Sequence, residues 1–107
     1  MFTRIVELTS KPGKNKQLAE TIDEKVLPIL KKQKGFVDET VFVSDKDDNR
    51  VLAQGCWNTK EDAEQYHRVE YQKVHETVQR LLESEPVIRT FDVHTSTTHR
   101  IAAGKAA

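Results

Sequence analysis

The chain has one cysteine in 107 residues, Cys56, so no disulfide can form within it. No Cys/His spacing matches a zinc motif. Cys56 itself reads as a small packed hydrophobe rather than a redox thiol. An excess of either charge is also missing, because 17 basic residues face 17 acidic ones. Nucleic-acid binding and attraction to a membrane surface need a cationic excess or stripe, so neither nucleic acid nor membrane is an expected partner. No stretch approaches the roughly 18 apolar residues of a membrane span, and the opening MFTRIVELTSKPGK has no apolar leader core, which makes a cytoplasmic location the expectation. What remains is enough for one domain. Leu, Ile, Val and Phe make up 27 of the 107 residues, above the roughly 20% below which chains tend to stay disordered. The core they can build is small, and a second subunit is an inexpensive source of further apolar burial.

Hydrophobic periodicity divides the chain into six elements. Phe2 to Leu8 alternates β-branched and polar residues and is broken by Lys11-Pro12-Gly13-Lys14, a strand followed by a turn. Leu18, Ile22, Val26, Ile29 and Leu30 recur at helical spacing from Asn15 to about Gln33, with a kink or restart at Pro28 and a stop at Lys34-Gly35. Phe36 to Ser44 and Arg50 to Trp57 are β-rich runs joined by Asp45 to Asn49, a hairpin. Thr59, with Asp62 three residues later, resembles a capping box and opens a helix to about Glu83. Ala63, His67, Tyr71, Val74, Val78, Leu81 and Leu82 then share one face of a continuous wheel. Pro86 ends that helix, and Val87 to Thr95 is the last strand. Residues 1–95 form the domain, and 96–107, small, polar and aperiodic, read as a flexible tail.

The order β-α-β-β-α-β is the ferredoxin-like arrangement, an α+β fold with a four-stranded antiparallel sheet and both helices on one face. The other face should then be polar. Yet Ile5 and Val6, Val41, Phe42 and Val43, and Ile88, Phe91 and Val93 place apolar groups on both sides of the strands. Two-sided apolarity calls for a second cover, and the simplest is another copy of the same sheet, a symmetric homodimer. Val41 is taken as a residue of that open face.

Several short motifs occur in a joint order that resembles the antibiotic biosynthesis monooxygenase (ABM) domain family. They are the first strand followed by Lys-Pro-Gly-Lys, the Lys34-Gly35-Phe36 entry to the second strand, Trp57-Asn58-Thr59-Lys60-Glu61-Asp62-Ala63, and Tyr66 with Tyr71. The resemblance spans roughly residues 1 to 95. It implies a dimeric α+β barrel, in which two such sheets pack face to face. It also implies enzymes that oxidise phenolic or quinol-type aromatics with dioxygen without flavin, metal or heme. The heme-degrading branch pairs a first-strand asparagine with a tryptophan and a histidine. Here the first-strand position is Val6 or Glu7, and Tyr66 replaces the tryptophan, which disfavours that branch. Anthrone-type oxygenases carry an asparagine and a tyrosine where this chain has Ala53 and Ala63.

Cofactor-free oxygenation needs an apolar cavity for a flat aromatic, a base, and donors for developing oxygen charge. His75, flanking the apolar stripe, is the candidate base, since a neutral imidazole accepts a proton near neutral pH; otherwise it is a partly exposed helix histidine. Tyr71 and His67 lie one and two turns before it and form either a polar pocket wall or core positions with one satisfied polar atom each. Tyr66 is nominated by the resemblance, but it lies off the stripe and reaches a cavity only if the helix breaks near Arg68. Trp57 is either a plug between helix and sheet or a stacking platform. Arg4 and Arg89 could hold an anionic substrate oxygen, or pair with Glu7, Glu39 or Asp92.

The expected function is a cofactor-independent monooxygenase acting on a small aromatic. The alternatives are a non-catalytic small-ligand-binding or stress-response barrel, and an isomerase of the same superfamily in which His75 shuttles a proton.

Overall fold

A computed structural model describes residues 1–103; positions 104–107 of the expected tail lie outside the described residues. The strands are β1 (Phe2–Thr9), β2 (Phe36–Val43), β3 (Arg50–Trp57) and β4 (Val87–Asp92). They form one antiparallel sheet in the order β2-β3-β1-β4. Two helical units form one layer over one face: α1 (Asn15–Thr21) and α2 (Leu27–Leu30) between β1 and β2, and α3 (Lys60–Val69) and α4 (Tyr71–Val78) between β3 and β4. This is the ferredoxin-like fold read from the sequence. Among the described residues no helix is long and apolar enough to cross a membrane.

Pro28 acts one turn ahead of itself. It lacks an N–H and its ring crowds the carbonyl of residue 24. Ile22–Val26 therefore runs as a π-helical turn, with the Leu27 N–H donating to the Ile22 carbonyl, and the helix resumes with Pro28 in its first turn. Gly35 closes the unit at φ +80°, and a Cβ there would collide with the Asp62 carboxyl group. Glycine is thus required on two counts, conformation and close approach.

The second helical segment differs from the continuous helix expected between Thr59 and Glu83. It caps as read, the Thr59 hydroxyl accepting from the Asp62 N–H at 3.1 Å, but it breaks at Glu70. A break shifts the phase of the wheel. In α3 the buried residues are Ala63 and Tyr66, in α4 Val74 and Val78, while His67 is exposed. His67 therefore does not sit mid-core, as a continuous stripe requires, and Tyr66 takes the inward position.

A bulge between Phe36 and Asp38 inserts Val37 into β2. The pairing puts Phe36 opposite Trp57 and Asp38 opposite Cys56. Phe36 thus joins the core, Glu39 and Val41 stay on the helix side, and Asp38 is turned to the open face, a re-aiming typical of bulges. Val41 packs against the core, so its assignment to the open face is corrected; Phe42 holds that place at 48% exposure.

Candidate functional site

Alternation along β1 sends Phe2, Arg4, Val6 and Leu8 toward the helices. From β3, Ala53, Gly55 and Trp57 face the same way, opposite Val6, Arg4 and Phe2. Between this floor and the roof of Ile22, Val26, Leu30, Val74 and Val78 lies a cavity of about 60 Å³. Its wall is almost wholly apolar. The polar groups that border it are Arg4, Glu39, Tyr66, Tyr71 and His75.

Arg4 is buried, 7% exposed, and among the described residues no carboxylate lies within ion-pair distance of it. Its guanidinium donates to His67 Nδ1 at 2.7 Å and sits 5.4 Å from the Tyr66 ring centroid and 4.8 Å from that of Tyr71. These contacts are cation–π in geometry. Burial pulls the Arg4 pKa down, opposed by the two tyrosines, yet an arginine stays charged. The result is a desolvated cation whose neighbours are aromatic faces and a neutral imidazole nitrogen. An oxyanion brought to such a cation would supply the charge that the fold withholds. Arg89, the other candidate, is on the open face and pairs with Glu7 at 2.8 Å; it is not part of the cavity.

The aromatic groups form two stacks, with Arg4 against a ring of each. Trp57, 1% exposed, packs edge-on against Phe36 at 5.4 Å and stacks on Tyr66 at 5.3 Å. His67 stacks on Tyr71 at 4.7 Å, and Tyr71 lies 6.2 Å from His75. Trp57 therefore plugs the sheet and borders the cavity at once. Burial pushes the Tyr66 hydroxyl up to about 12 and that of Tyr71 upward, despite Arg4. Both remain protonated and able to donate. Burial, with Arg4 adding to it, lowers His67, which keeps its ring neutral toward the guanidinium. His75 stands at the rim, its side chain one-fifth exposed, with Nε2 3.5 Å from the Glu85 carboxylate.

Glu39 is the cavity residue that sequence reasoning missed. The sequence offers it only as an ion-pair partner; burial, with Asp23 contributing, raises it to about 7. The signal lay in the bulge, which local alternation does not reveal. A raised carboxyl costs stability as pH climbs: the unfolded chain ionises near ~4.3 and the folded one near 7. The folded state therefore binds the extra proton in between, and stability falls across that window. Glu39→Gln should accordingly raise the melting temperature at pH 8 and change it little at pH 5, as read by calorimetry at both values. A gain of the same size at pH 5 would mean that ionisation of Glu39 is not its cause.

Beside the cavity, on the other side of Arg4, a groove of about 370 Å³ runs between α3 and the β1–β4 pair. Lys60, His67 and Arg68 border it against a single acid, Glu64. The structure thus brings Arg4, Trp57, Tyr66, Tyr71 and His75 around one cavity and leaves His67 in the groove, joined to it through Arg4.

A model of the family described as antibiotic biosynthesis monooxygenase matches residues 1–78. A search of curated proteins finds no significant match. Among solved structures, the monooxygenase from the ActVA-Orf6 gene of Streptomyces coelicolor, in complex with nanaomycin D, superposes with a TM-score of 0.75 at 16% identity, covering 89% of this chain and 88% of that one. SnoaB, a cofactor-independent oxygenase from Streptomyces nogalater, superposes at 0.73 with 18% identity over 90% of this chain and 95% of its own. Rv0793 of Mycobacterium tuberculosis gives 0.72 at 12% identity, over 90% and 97%. At these identities the likeness is one of fold. The family match spans most of the domain, and the chain belongs to the antibiotic biosynthesis monooxygenase family.

Proposed function

We propose that the protein is a cofactor-independent monooxygenase acting on a small phenolic or quinol-type aromatic, with Arg4 holding the substrate oxygen as its anion. The observation that carries this reading is the buried Arg4, with no carboxylate in ion-pair distance among the described residues, at the edge of an apolar, aromatic-lined cavity. His75 accepts the substrate proton at the rim and passes it to water. Tyr66 and Tyr71 donate to oxygen charge as it develops, and Trp57 flanks the ring. The electron-rich anion reduces dioxygen. One oxygen atom replaces the ring hydrogen as a new carbonyl, and the other leaves as water with the two hydrogens lost by the phenol, so that phenol plus dioxygen balances quinone plus water. The structural kinship with a monooxygenase and a cofactor-independent oxygenase supports the class.

Size narrows the substrate. A dry cavity that takes up benzene measures ~150 Å³, so a ring enters the space of about 60 Å³ only as the α3–α4 pair gives way. The break at Glu70 supplies a joint for that. His67, in the groove, reads as an entry contact. Oxygen uptake and product mass across a panel of single-ring quinols test the function. Ligand-induced melting shifts without uptake would favour a non-catalytic binding protein, and turnover without oxygen an isomerase.

The working unit is a homodimer. Phe42, Val87 and Phe91 are 48%, 45% and 49% exposed on the open face, and a lone sheet with such a patch needs a cover. A second copy buries it, with an interface above the ~1,000 Å² of specific contacts. Phe42→Asp should therefore dissociate the dimer and lower its melting temperature together. A wild-type monomer by light scattering at micromolar concentration would contradict this.

A further inference from the structure

On the open face, the register of three strands sets Asp38 of β2 beside Cys56 of β3, and Cys56 beside Thr3 of β1, with Cys56 Sγ 3.7 Å from Thr3 Oγ1. Past β4 the chain turns back over this row. Ser96 and Ile101 exchange two backbone hydrogen bonds of 2.9 and 2.8 Å, and Arg100 takes φ +57° between them. That turn carries His99 onto the sheet, its Nε2 2.7 Å from Asp38 Oδ2. The thiol sulfur, the imidazole nitrogen and the carboxylate oxygen all lie within 4.8 Å of one another.

We propose that Asp38, Cys56 and His99 form a binding site for a divalent metal ion of the zinc class. The donor set is one soft sulfur, one borderline nitrogen and one hard oxygen, a combination that suits zinc or cobalt and offers too few oxygens for calcium or magnesium. Bonds of ~2.0–2.3 Å to a central ion hold tetrahedral donors ~3–4 Å apart. Closing the present spacing thus takes a shift of about an ångström, which His99 on its short turn can supply. The outer shell is in place. Ser96 Oγ lies 3.2 Å from His99 Nδ1 and can accept a hydrogen bond from Nδ1–H, so that a metal takes the place of the hydrogen between Nε2 and Asp38, the usual arrangement around a ligating histidine. Oγ also accepts from the His99 backbone N–H at 3.1 Å, so one hydroxyl orients the whole residue.

Three protein donors leave the fourth position open, and a cavity of about 240 Å³ bordered by Thr40, Gln54, Thr95 and Thr98 adjoins it, with polar groups and room for a water. Cys56 is buried at 4% exposure, which shields the metal–sulfur bond from competing thiols. Local spacing rules cannot find such a site, because its ligands come from two strands and the C-terminal segment. The inference needs one chain only and does not depend on the oxygenase reading.

Cobalt(II) titrated into the full-length, reduced protein under anaerobic conditions tests it. The expected result is uptake of one ion per chain, with intense tetrahedral visible bands and a near-ultraviolet thiolate-to-cobalt band. Zinc should displace both. His99→Ala, on the exposed turn, should weaken uptake at least tenfold without changing the circular dichroism. Asp38→Asn should also weaken it. Cys56→Ser should remove the charge-transfer band, and because Cys56 is buried its fold must be checked first. Failure of the wild type to bind cobalt or zinc at micromolar concentration would overturn the site. So would uptake that survives His99→Ala unchanged, since the ion would then sit elsewhere.

Discussion

Arg4→Met should lower turnover on an authentic substrate by ~10²–10³-fold, the usual cost of removing one donor to a developing oxyanion, while the protein melts at the same temperature or a few degrees higher. The two effects have opposite signs for one reason. The guanidinium is held out of water with no acidic partner among the described residues, a cost that a similarly sized apolar side chain relieves; replacing buried charges by hydrophobes is often neutral or stabilising by ~1–4 kcal/mol. What the fold loses is a hydrogen bond to His67 and two aromatic faces, each worth about 1 kcal/mol. A destabilised site kept for activity is a common trade. Thermal melts beside steady-state kinetics decide it. A large drop in melting temperature with a proportionate loss of activity would make Arg4 a structural residue.

His75→Ala should cost ~10²–10⁴-fold in rate with fold and dimer intact, the contribution of a positioned general base. Its side chain is one-fifth exposed at the rim and its Nε2 lies 3.5 Å from the carboxylate of an exposed Glu85, so little packing is lost. Full turnover in this variant would move the base to Glu39. The rate would then rise with pH through about 7, where Glu39 ionises, and Glu39→Gln would carry the loss instead. His67→Ala separates the groove from the cavity. Because His67 is exposed, its loss should raise KM more than it lowers stability, the reverse of what a mid-core position would give.

Strand order, the hairpin and the capped entry at Thr59 were legible because each rests on local patterns of alternation and turn chemistry. The break at Glu70 was not. Glu70 has no proline or glycine to mark it, and with a continuous wheel the reading put His67 inside and Tyr66 off the stripe. The resemblance to the family nominated Tyr66 all the same, conditional on a break, and the break is there. The bulge at Val37 was equally silent, and it decides three positions at once: Val41 inward, Glu39 beside the cavity, and Asp38 outward toward Cys56 and His99. Arg4 was legible as an oddity, a charge alternating with Phe2 and Val6 on a buried strand face. That it lacks an acidic partner among the described residues is a tertiary fact.

Turnover under ¹⁸O-labelled dioxygen, with chelator-treated protein and a single-ring quinol that consumes oxygen, separates oxygenation from the other chemistries when wild type is compared with Arg4→Met. One heavy oxygen atom should enter the product and the other water, with the rate falling ~10²-fold or more in the variant. Product formed without label, or labelled product formed equally fast by the variant, would contradict it.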